Sequence, residues 1–463
     1  VNADLIQEIS FYTGAFPADR AGALSSVLDF RLRDGNAEKQ TFKATLGASE
    51  VGLSGSGHIG GKTSYLFSLR QSYLQLLFKM IGLPFLPNYI DGQFKVKTRF
   101  SERNELTVLG LAVVSLLIIS SATHANVPDH PGQYDFVIKQ GVFLLMGLII
   151  GGASLYFDYR LLYRFVPALY VVNAIMLLVV KFAGTSALGA QRWIQIGPFT
   201  LQPSEFAKII MIICLARLLS NNKGGYRTWK SLLPVAGLMA LPTLLIFIQP
   251  DLGTSLVFAA ITFGMLYICG LNMSLVKKAF IAFAAVFPLI WFFVLHSYQK
   301  MRILVLFNPS VDPYGSGYHV IQSKISIGSG GFIGQGLFEG TQSQLNFLPE
   351  NHTDFIFSVI GEELGFIGAI FVLFLFFILL YRAIMISRSS GDAFGSLLAC
   401  GIFSMWLFQI FINVGMTLGI MPVTGIPLPF MSYGGSALMM NLLCVGLLMN
   451  IYIRRKKLMF DYE

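Results

Sequence analysis

The sequence predicts an all-α polytopic membrane protein with ten transmembrane helices, a large extracytoplasmic loop between helices 7 and 8, and a β-rich N-terminal appendage. Of its 463 residues, 54% are hydrophobic and only 12% are charged, whereas a soluble protein carries about 25% charged residues. A soluble globular enzyme is therefore excluded. Charge is also uneven, with 22 charged residues in 1–105 and 35 in the remaining 358. We therefore predict two domains, 1–105 and 106–463.

Ten apolar segments after residue 106 are candidate membrane spans, because about 20 apolar residues cross a bilayer. They lie near 107–121, 136–157, 165–182, 204–220, 231–249, 252–271, 279–296, 355–381, 394–418 and 429–452. The first and fourth segments are short. A loop of almost sixty residues, Ser297 to Asp354, separates segments seven and eight. Loops of this length are usually functional or disordered.

The distribution of Lys and Arg predicts the orientation of the spans. Fourteen of these residues follow the even-numbered segments, the C-terminal tail included, and four follow the odd-numbered ones. The C-terminus is therefore expected in the cytoplasm and the odd-numbered loops outside it. Because the same asymmetry explains much of the net charge of +9, we expect no nucleic-acid partner.

Polar residues near the spans concentrate at the outward-facing end, where ionisable groups are functional-site candidates. They are Arg192 and Trp193 after segment three, Glu205 and Lys208 in QPSEFAK, Asp251 in QPDLGT, His352, Thr353 and Asp354 at the end of the long loop, Glu362 and Glu363 in segment eight, and Ser432 and Tyr433 in GIPLPFMSYGG. A transporter would concentrate its polar site near the midplane of the bilayer.

Each of these candidates also has a structural explanation. Glu205 and Lys208 could neutralise each other, with Ser204 capping the helix. Asp354 could be only the N-cap of segment eight. The remaining alternatives are a turn closed by Asp251, hydrogen bonds from Glu362 and Glu363 to neighbouring helices, and an interfacial anchor at Arg192.

The residue types at this end suit an anionic, lipid-linked substrate. A carboxylate in an outer loop can act as a general base if partial burial raises its pKa toward the working pH. Arg and Lys stabilise the charge that develops on a diphosphate leaving group. The residues alone therefore predict a site at the outer leaflet for such a substrate.

Four motifs resemble the SEDS family of cell-wall polymerases. They are GAQRWIQIGPFTLQPSEFAK (189–208), QPDLGTS (249–255), SKISIGSGGFIGQGLFEGTQSQLNFLPENHTDFIFSVIGEELG (323–365) and MPVTGIPLPFMSYGGSAL (421–438). Within this family, GTQSQLNFLPENHTDFIF and SATHANVP are more similar to the elongation member RodA than to the division member FtsW or its sporulation relative.

The resemblance implies a ten-span peptidoglycan glycosyltransferase of the bacterial cytoplasmic membrane. Such enzymes polymerise lipid II into glycan strands at the outer face, here during cell elongation and rod-shape maintenance. The family's essential loop aspartate matches Asp354, which we expect to be the general base for the acceptor 4-hydroxyl. We expect substrate binding by Arg192, Trp193, Glu205, Lys208, His352, Ser432 and Tyr433, and structural or supporting roles for Asp251, Glu362 and Glu363.

The resemblance also implies a cofactor and partners. A divalent cation, Mg²⁺ or Mn²⁺, fits the family, and no organic cofactor is expected. A glycan polymerase without a cross-linking domain leaves its strands unconnected. The expected partners are therefore lipid II as substrate, a class B penicillin-binding protein as transpeptidase, and membrane proteins of the elongation complex.

Two other functions compete with the polymerase. A lipid II flippase would need a polar path through the bundle, and the ionisable residues instead stop near the outer third of the spans. A non-catalytic scaffold for cell-wall enzymes predicts that Asp354 is dispensable.

Residues 1–105 have the alternating pattern of β-strands, as in FKATLGASEVGLSG and TSYLFSLRQSYL. With FPADRAGALSSVLDFRLRDGN, they resemble the end of the plug and the first barrel strands of a TonB-dependent outer-membrane receptor. A few such strands cannot close into a barrel, and open edges are not tolerated in lipid. We therefore predict a chimera joined near Glu105–Leu111, with a genuine accessory domain as the alternative. The segment lacks the pattern of a signal peptide.

Deletion of residues 1–105 tests this prediction. A stray fragment contributes nothing to the site, so a chain that starts near Glu105 should keep its polymerase activity or express better. Glycan polymer formed from labelled lipid II measures the activity of the purified protein. Loss of activity in a bundle that still folds would show that the segment has a function.

Overall fold

The computed structural model divides the chain into two compact units, Val1–Thr107 and Val108–Glu463. It describes residues 6–12, 27–32, 39–46, 50–59, 63–72, 90–98, 108–123, 135–187, 190–196, 199–221, 225–226, 228–249, 251–313, 315–345 and 347–455. The predicted domain boundary at residues 105 and 106 lies outside these ranges.

The described elements of the first unit are antiparallel β-strands. One pair comprises β1 (Ile6–Tyr12) and β2 (Val27–Leu32). A second sheet has the order β3 (Thr41–Leu46), β4 (Glu50–Ile59), β5 (Thr63–Ser72) and β6 (Ile90–Thr98). Strands thus form where the alternating pattern predicts them, and within the described residues β3 and β6 are the edges of an open sheet. The foreign origin of this unit stays a prediction.

The second unit is mostly helical, with one small three-stranded sheet. Its helices are α1 (Val108–Ala122), α2 (Asp135–Ala153), α3 (Leu161–Ala183), α4 (Pro203–Ser220), α5 (Trp229–Ile248), α6 (Leu252–Ile268), α7 (Met273–Leu289), α8 (Ser297–Phe307), α9 (Ser316–Gly330), α10 (Thr341–Gln344), α11 (Ile356–Glu363), α12 (Gly365–Ser389), α13 (Ala393–Thr417) and α14 (Gly435–Ile453). The sheet comprises β7 (Thr185–Ala187), β8 (Ala190–Ile196) and β9 (Phe199–Leu201), and lies between α3 and α4.

Seven helical segments of the described residues are long and apolar enough to span a membrane. They are Phe136–Ala153, Leu161–Phe182, Trp229–Ile248, Met273–Phe293, Gly365–Ser389, Ala393–Thr417 and Gly435–Ile453. The other three predicted segments are helical too, but α1 has 15 residues, α6 has 17, and α4 contains Glu205, Lys208 and Arg217. The chain is therefore an integral membrane protein with a mostly helical fold.

Two predicted spans differ from the helices found: one is broken and one begins later than expected. Segment eight, predicted as 355–381, is two helices, because α11 ends at Glu363 and Gly365 adopts a left-handed φ of +64° before α12. Segment ten, predicted from residue 429, becomes helical only at Gly435. Pro427 and Pro429 explain the second difference, because proline lacks an N–H and keeps the preceding residue extended.

The described residues of the long loop, from Ser297 to Phe355, are folded and contain the helices α8, α9 and α10 and a 3₁₀ turn at Pro309–Val311. Buried contacts hold it on the bundle. Ser323 of α9, for example, donates its hydroxyl hydrogen to the Thr417 carbonyl at 2.7 Å. The loop is therefore ordered structure that frames the end of α13.

Helices α4, α13 and α14 form the centre of the bundle and carry long runs of buried side chains. Trp406 of α13 is fully buried, and its indole N–H donates to Asn441 of α14 at 2.8 Å. Its ring also contacts Phe430 with 5.4 Å between ring centroids. The segment before α14 is thus anchored in the core.

One end of the bundle, called here the Asp392 end, is held by charged side chains. Tyr159 donates a hydrogen bond to Asp392, which connects the α2–α3 turn to the start of α13. Arg454 pairs with Asp158 at 3.8 Å. Asn450 of α14 donates to the carbonyls of Ser154 and Phe157. The α2–α3 turn, the α12–α13 turn and the end of α14 therefore meet at this end. All three follow even-numbered predicted segments, which are expected to end on the same side of the membrane.

The break at Gly365 generates a stability prediction. A Cβ atom there would lie 2.3 Å from the Gly334 nitrogen, and a positive φ costs an L-residue roughly 1–2 kcal/mol. Gly365→Ala should therefore clearly lower the thermal unfolding midpoint in detergent. Gly141→Ala is the matched control, because nothing lies within 4 Å of its Cβ position. Equal midpoints for the two variants would contradict the prediction.

Candidate active site

Asp354 lies in a tight turn directly before α11. The amides of Thr353 and Phe355 both donate to the Glu350 carbonyl, each at 3.2 Å. Because α11 begins at Ile356 with Phe355 as its N-cap residue, the structural alternative, in which Asp354 is only the N-cap of this helix, is not supported. A Cβ atom on Gly425 would lie 3.3 Å from the Asp354 Oδ2 atom, so the carboxylate faces the segment between α13 and α14.

Two side chains connect the Asp354 turn to this segment, residues 418–434. Ser432 donates its hydroxyl hydrogen to the Thr353 carbonyl at 2.6 Å and accepts from the Leu428 amide at 2.8 Å. Asn413 of α13 donates to the carbonyls of Asp354 and Ile426 at 2.9 and 2.8 Å. The Ser432 hydroxyl is therefore used within the protein, and its substrate-binding role stays a prediction.

His352 and Tyr433 form an aromatic cluster beside the turn. Their ring centroids lie 5.7 Å apart, and Phe136 of α2 contacts both rings at 5.0 and 5.1 Å. The Tyr433 amide donates to the His352 carbonyl at 2.8 Å. Burial lowers the pKa of His352, which favours a neutral imidazole. His352 and Tyr433 thus form one continuous aromatic surface that also carries polar ring atoms.

The environment of Asp354 suits a general base. The pKa of its carboxyl is raised to about 6, mainly by burial and also by the charges of Glu350 and Asp251, while Arg302 and Arg192 oppose the increase. A carboxylate with this pKa is ionised at neutral pH and is a stronger base than an exposed aspartate. Arg302 of α8 was not predicted as a site residue. In the sequence it was counted only among the basic residues of the loops.

Arg192 and Trp193 lie on β8, which pairs with β7 through Thr185 and Trp193. The Arg192 Nε–H donates to the Gln249 carbonyl at 3.3 Å. Gln249 itself donates to the Leu177 carbonyl at 2.8 Å. The β7–β9 sheet is thereby fixed against Gln249 at the end of α5. Arg192 also acts electrostatically on Asp354.

Asp251 is the N-cap residue of α6. One carboxylate oxygen accepts from the Thr254 amide at 3.1 Å and the other from the Thr254 hydroxyl at 2.8 Å. The predicted structural role in the turn is thus the one that its contacts support. Its charge still raises the pKa of Asp354.

Glu205 and Lys208 form a buried ion pair in the first turns of α4, with 2.8 Å between the Lys208 Nζ and the Glu205 Oε1 atoms. The second Glu205 oxygen has no hydrogen-bond partner within the described residues. The ion pair of the structural alternative is thus present, but its cap at Ser204 is not, because Ser204 lies inside the helix after Gln202 and Pro203. The Gln202 backbone amide instead donates to the Ser436 hydroxyl oxygen of α14 at 2.9 Å.

Glu362 and Glu363 belong to a separate cluster that fixes the long loop. Glu362 accepts from the amides of Gln342 and Ser343 at 2.7 and 3.2 Å and from the Ser326 hydroxyl at 2.8 Å. Glu363 accepts from the Ser121 hydroxyl of α1 at 2.6 Å. These contacts support the structural alternative for both residues.

The site residues therefore fall into three groups. Asp354 is grouped with His352, Ser432 and Tyr433 by direct contacts, and with Arg192 and Asp251 by electrostatic interaction. The Glu205–Lys208 pair lies on α4, and Glu362 and Glu363 hold the loop. Asn413 was missed, although an amide side chain in an apolar span is a signal that could have found it.

The described residues do not form a metal cage of their own, since no three His, Cys, Asp or Glu side chains are grouped to hold an ion. Mg²⁺ is often bound by one or two carboxylates together with substrate phosphates. The divalent cation stays a prediction, and no step proposed below depends on it.

Comparison with known sequences identifies the family. The FtsW/RodA/SpoVE family, described as "Cell cycle protein", matches residues 103–457. The chain belongs to this family. The resemblance of the four motifs is thereby confirmed, whereas the resemblance of residues 1–105 to a TonB-dependent receptor stays a prediction.

Relatives of known name cover most of the same region. "Peptidoglycan glycosyltransferase MrdB" of Escherichia coli is 41% identical over 353 residues, which are 76% of this chain and 93% of that protein. A solved chain described by "Structural coordination of polymerization and crosslinking by a peptidoglycan synthase complex" is 31% identical, with a TM-score of 0.63, and covers 77% of this chain and 100% of its own. RodA of Thermus thermophilus, "Rod shape determining protein", is 27% identical, with a TM-score of 0.56, and covers 76% of this chain and 95% of its own.

The Glu362 cluster generates a stability prediction for this FtsW/RodA/SpoVE member. Glu362→Ala leaves the buried Ser343 amide, the partly buried Gln342 amide and the buried Ser326 hydroxyl without their acceptor, and each buried unsatisfied group costs about 1–3 kcal/mol. We expect a loss of about 3 kcal/mol or more in the free energy of unfolding, measured by denaturation in detergent. The exposed Glu339 of the same loop supplies the control Glu339→Ala, which should change little. Similar losses in the two variants would contradict the assigned clamp.

Proposed function

We propose that this chain polymerises lipid II into glycan strands at the outer face of the bacterial cytoplasmic membrane, during cell elongation and rod-shape maintenance. Its family and the name of its 41% identical relative make it a peptidoglycan glycosyltransferase. The observation that carries the mechanism is Asp354, a partly buried carboxylate with a pKa of about 6 and two arginines near it.

In the proposed reaction, Asp354 accepts the proton of the acceptor 4-hydroxyl. The hydroxyl oxygen attacks the anomeric carbon of the donor sugar and forms the new glycosidic bond. The bond from that carbon to the diphosphate oxygen breaks, and undecaprenyl diphosphate leaves with the electron pair. Positive side chains stabilise the charge that develops on this leaving group.

Arg192 and Arg302 are the cations best placed to support this charge, because both act electrostatically on Asp354. We assign the diphosphate to their side of the turn. Trp193, His352 and Tyr433 supply flat apolar surfaces against which sugar rings pack. The Glu205–Lys208 pair is assigned to substrate binding as well, through exchange of the Lys208 ammonium from Glu205 to a phosphate oxygen.

The proposed topology has ten spans, with the C-terminus in the cytoplasm and the site outside. It counts α1, α4 and α6 as spans beside the seven longer segments. The distribution of Lys and Arg supports this orientation, since Arg160, Arg388 and Arg454 belong to the loops and tail assigned to the cytoplasm. The meeting of these loops at the Asp392 end is consistent with it.

The proposed partner is a class B penicillin-binding protein, with further membrane proteins of the elongation complex. A polymerase of this kind leaves uncrosslinked strands, and a solved relative belongs to a peptidoglycan synthase complex that coordinates polymerisation and crosslinking. We also propose that residues 1–105 take no part in the reaction. The family match, which begins at residue 103, supports this exclusion.

Replacement of Asp354 tests the proposed function. Asp354→Asn keeps the shape of the side chain and removes the base, so we expect a loss of about 10²–10⁴-fold in polymer formed from labelled lipid II. Asp312→Asn is the matched control in the same loop, because an amide oxygen can still accept from the Ser316 amide. Full activity of Asp354→Asn would remove Asp354 from catalysis, whereas no polymer from the wild-type protein would favour the scaffold or flippase alternatives.

The pH profile is a second test. Because only the ionised carboxylate accepts a proton, the wild-type rate should level off above a pH of about 6 and fall about tenfold for each unit below it. The rate of polymer formation at saturating lipid II measures this profile. A rate that stays constant well below pH 6 would argue against Asp354 as the base.

A further inference from the structure

The backbone on both sides of Asp354 is fixed by side chains from other elements. The Thr353 carbonyl belongs to the peptide unit before Asp354 and accepts from Ser432 at 2.6 Å. The Asp354 carbonyl belongs to the peptide unit after it and accepts from Asn413 at 2.9 Å. Two fixed peptide planes determine φ and ψ of the residue between them, and hence the direction of its Cα–Cβ bond.

Asn413 is well suited to this task. It is fully buried in α13, and its NH₂ group bridges the carbonyls of Asp354 and Ile426. Ser432 makes a parallel bridge between the Thr353 carbonyl and the Leu428 amide. The two bridges hold the Asp354 turn and the segment 418–434 at one separation, and they do so next to Gly425, which faces the carboxylate.

We propose that Asn413, together with Ser432, is a positioning residue that sets the direction and the burial of the Asp354 carboxylate. This inference rests on the proposed function, because it assigns Asn413 a role only through Asp354 as the base. Neither carbonyl of the Asn413 bridge is a reacting group. The bridge therefore acts on the rate through geometry and on the pKa through exclusion of water.

A matched pair of variants separates positioning from general stability. Asn450 of α14 is also fully buried and also bridges two backbone carbonyls, those of Ser154 and Phe157, but at the Asp392 end. Asn413→Leu and Asn450→Leu each remove one such bridge between two carbonyls, and Asn450→Leu also removes the oxygen that accepts from Arg454. We expect both to lower the thermal unfolding midpoint in detergent.

Only Asn413→Leu should change the reaction. A displacement of about 1 Å at the base can cost about 100-fold, so we expect kcat for labelled lipid II to fall about 10- to 100-fold with little change in KM. The midpoint of the acid limb should also move to lower pH, because a loosened turn admits water to the carboxylate. Asn450→Leu should keep the wild-type kcat and acid limb.

Ser432→Ala provides a smaller change if Asn413→Leu does not fold, and the same direction is expected for kcat and for the acid limb. The inference is overturned if the folded variants lose only stability, as Asn450→Leu does, while kcat and the acid limb stay those of the wild type. Asp354→Asn in the same series tests the proposed function by itself. If it remains active, the assignment of the base fails, whatever the Asn413 result.

Discussion

Backbone groups that are buried away from water must find hydrogen-bond partners inside the protein, and this constraint shapes the Asp354 end of the bundle. Two irregular segments meet there, the Asp354 turn and residues 418–434, and neither can satisfy its carbonyls through a helix. Side chains of the neighbouring helices do so instead: Asn413 bonds the carbonyls of Asp354 and Ile426, and Ser115 of α1 bonds that of Met431. Polar residues in otherwise apolar helices thus build the scaffold of the site.

The same contacts determine the chemistry of the turn. A turn held against the bundle loses water, which raises the pKa of Asp354, while Arg302 and Arg192 limit the increase. Burial without the arginines would keep the carboxyl protonated at higher pH, and arginines without burial would make it a weak base. A base that is ionised yet strong near neutral pH therefore needs both effects at once.

Composition and hydropathy were enough to predict the helical segments, whereas Asp354 was assigned as the candidate base from the family resemblance. Hydropathy could not locate the break at Gly365 or the late start of α14. A long apolar run indicates that a segment is buried, but it does not show where the backbone angles φ and ψ change. Hydropathy also could not assign Asn413, since its partner carbonyl at Asp354 is 59 residues away in the chain. The hydrogen-bond partners of an amide side chain in a membrane span can be assigned only from the packed structure.

The contacts of the carboxylates distinguish a base from structural acids. Both oxygens of Asp251 and both of Glu362 accept hydrogen bonds, and Glu205 is paired with Lys208. The paired oxygens are therefore occupied by partners within the protein and are not free to contact a substrate hydroxyl. For Asp354, burial and nearby charges alone account for the pKa, and the one hydrogen bond that it accepts within the described residues is at its backbone carbonyl. Its carboxylate oxygens therefore stay available to a substrate hydroxyl, which is the property that general-base catalysis requires.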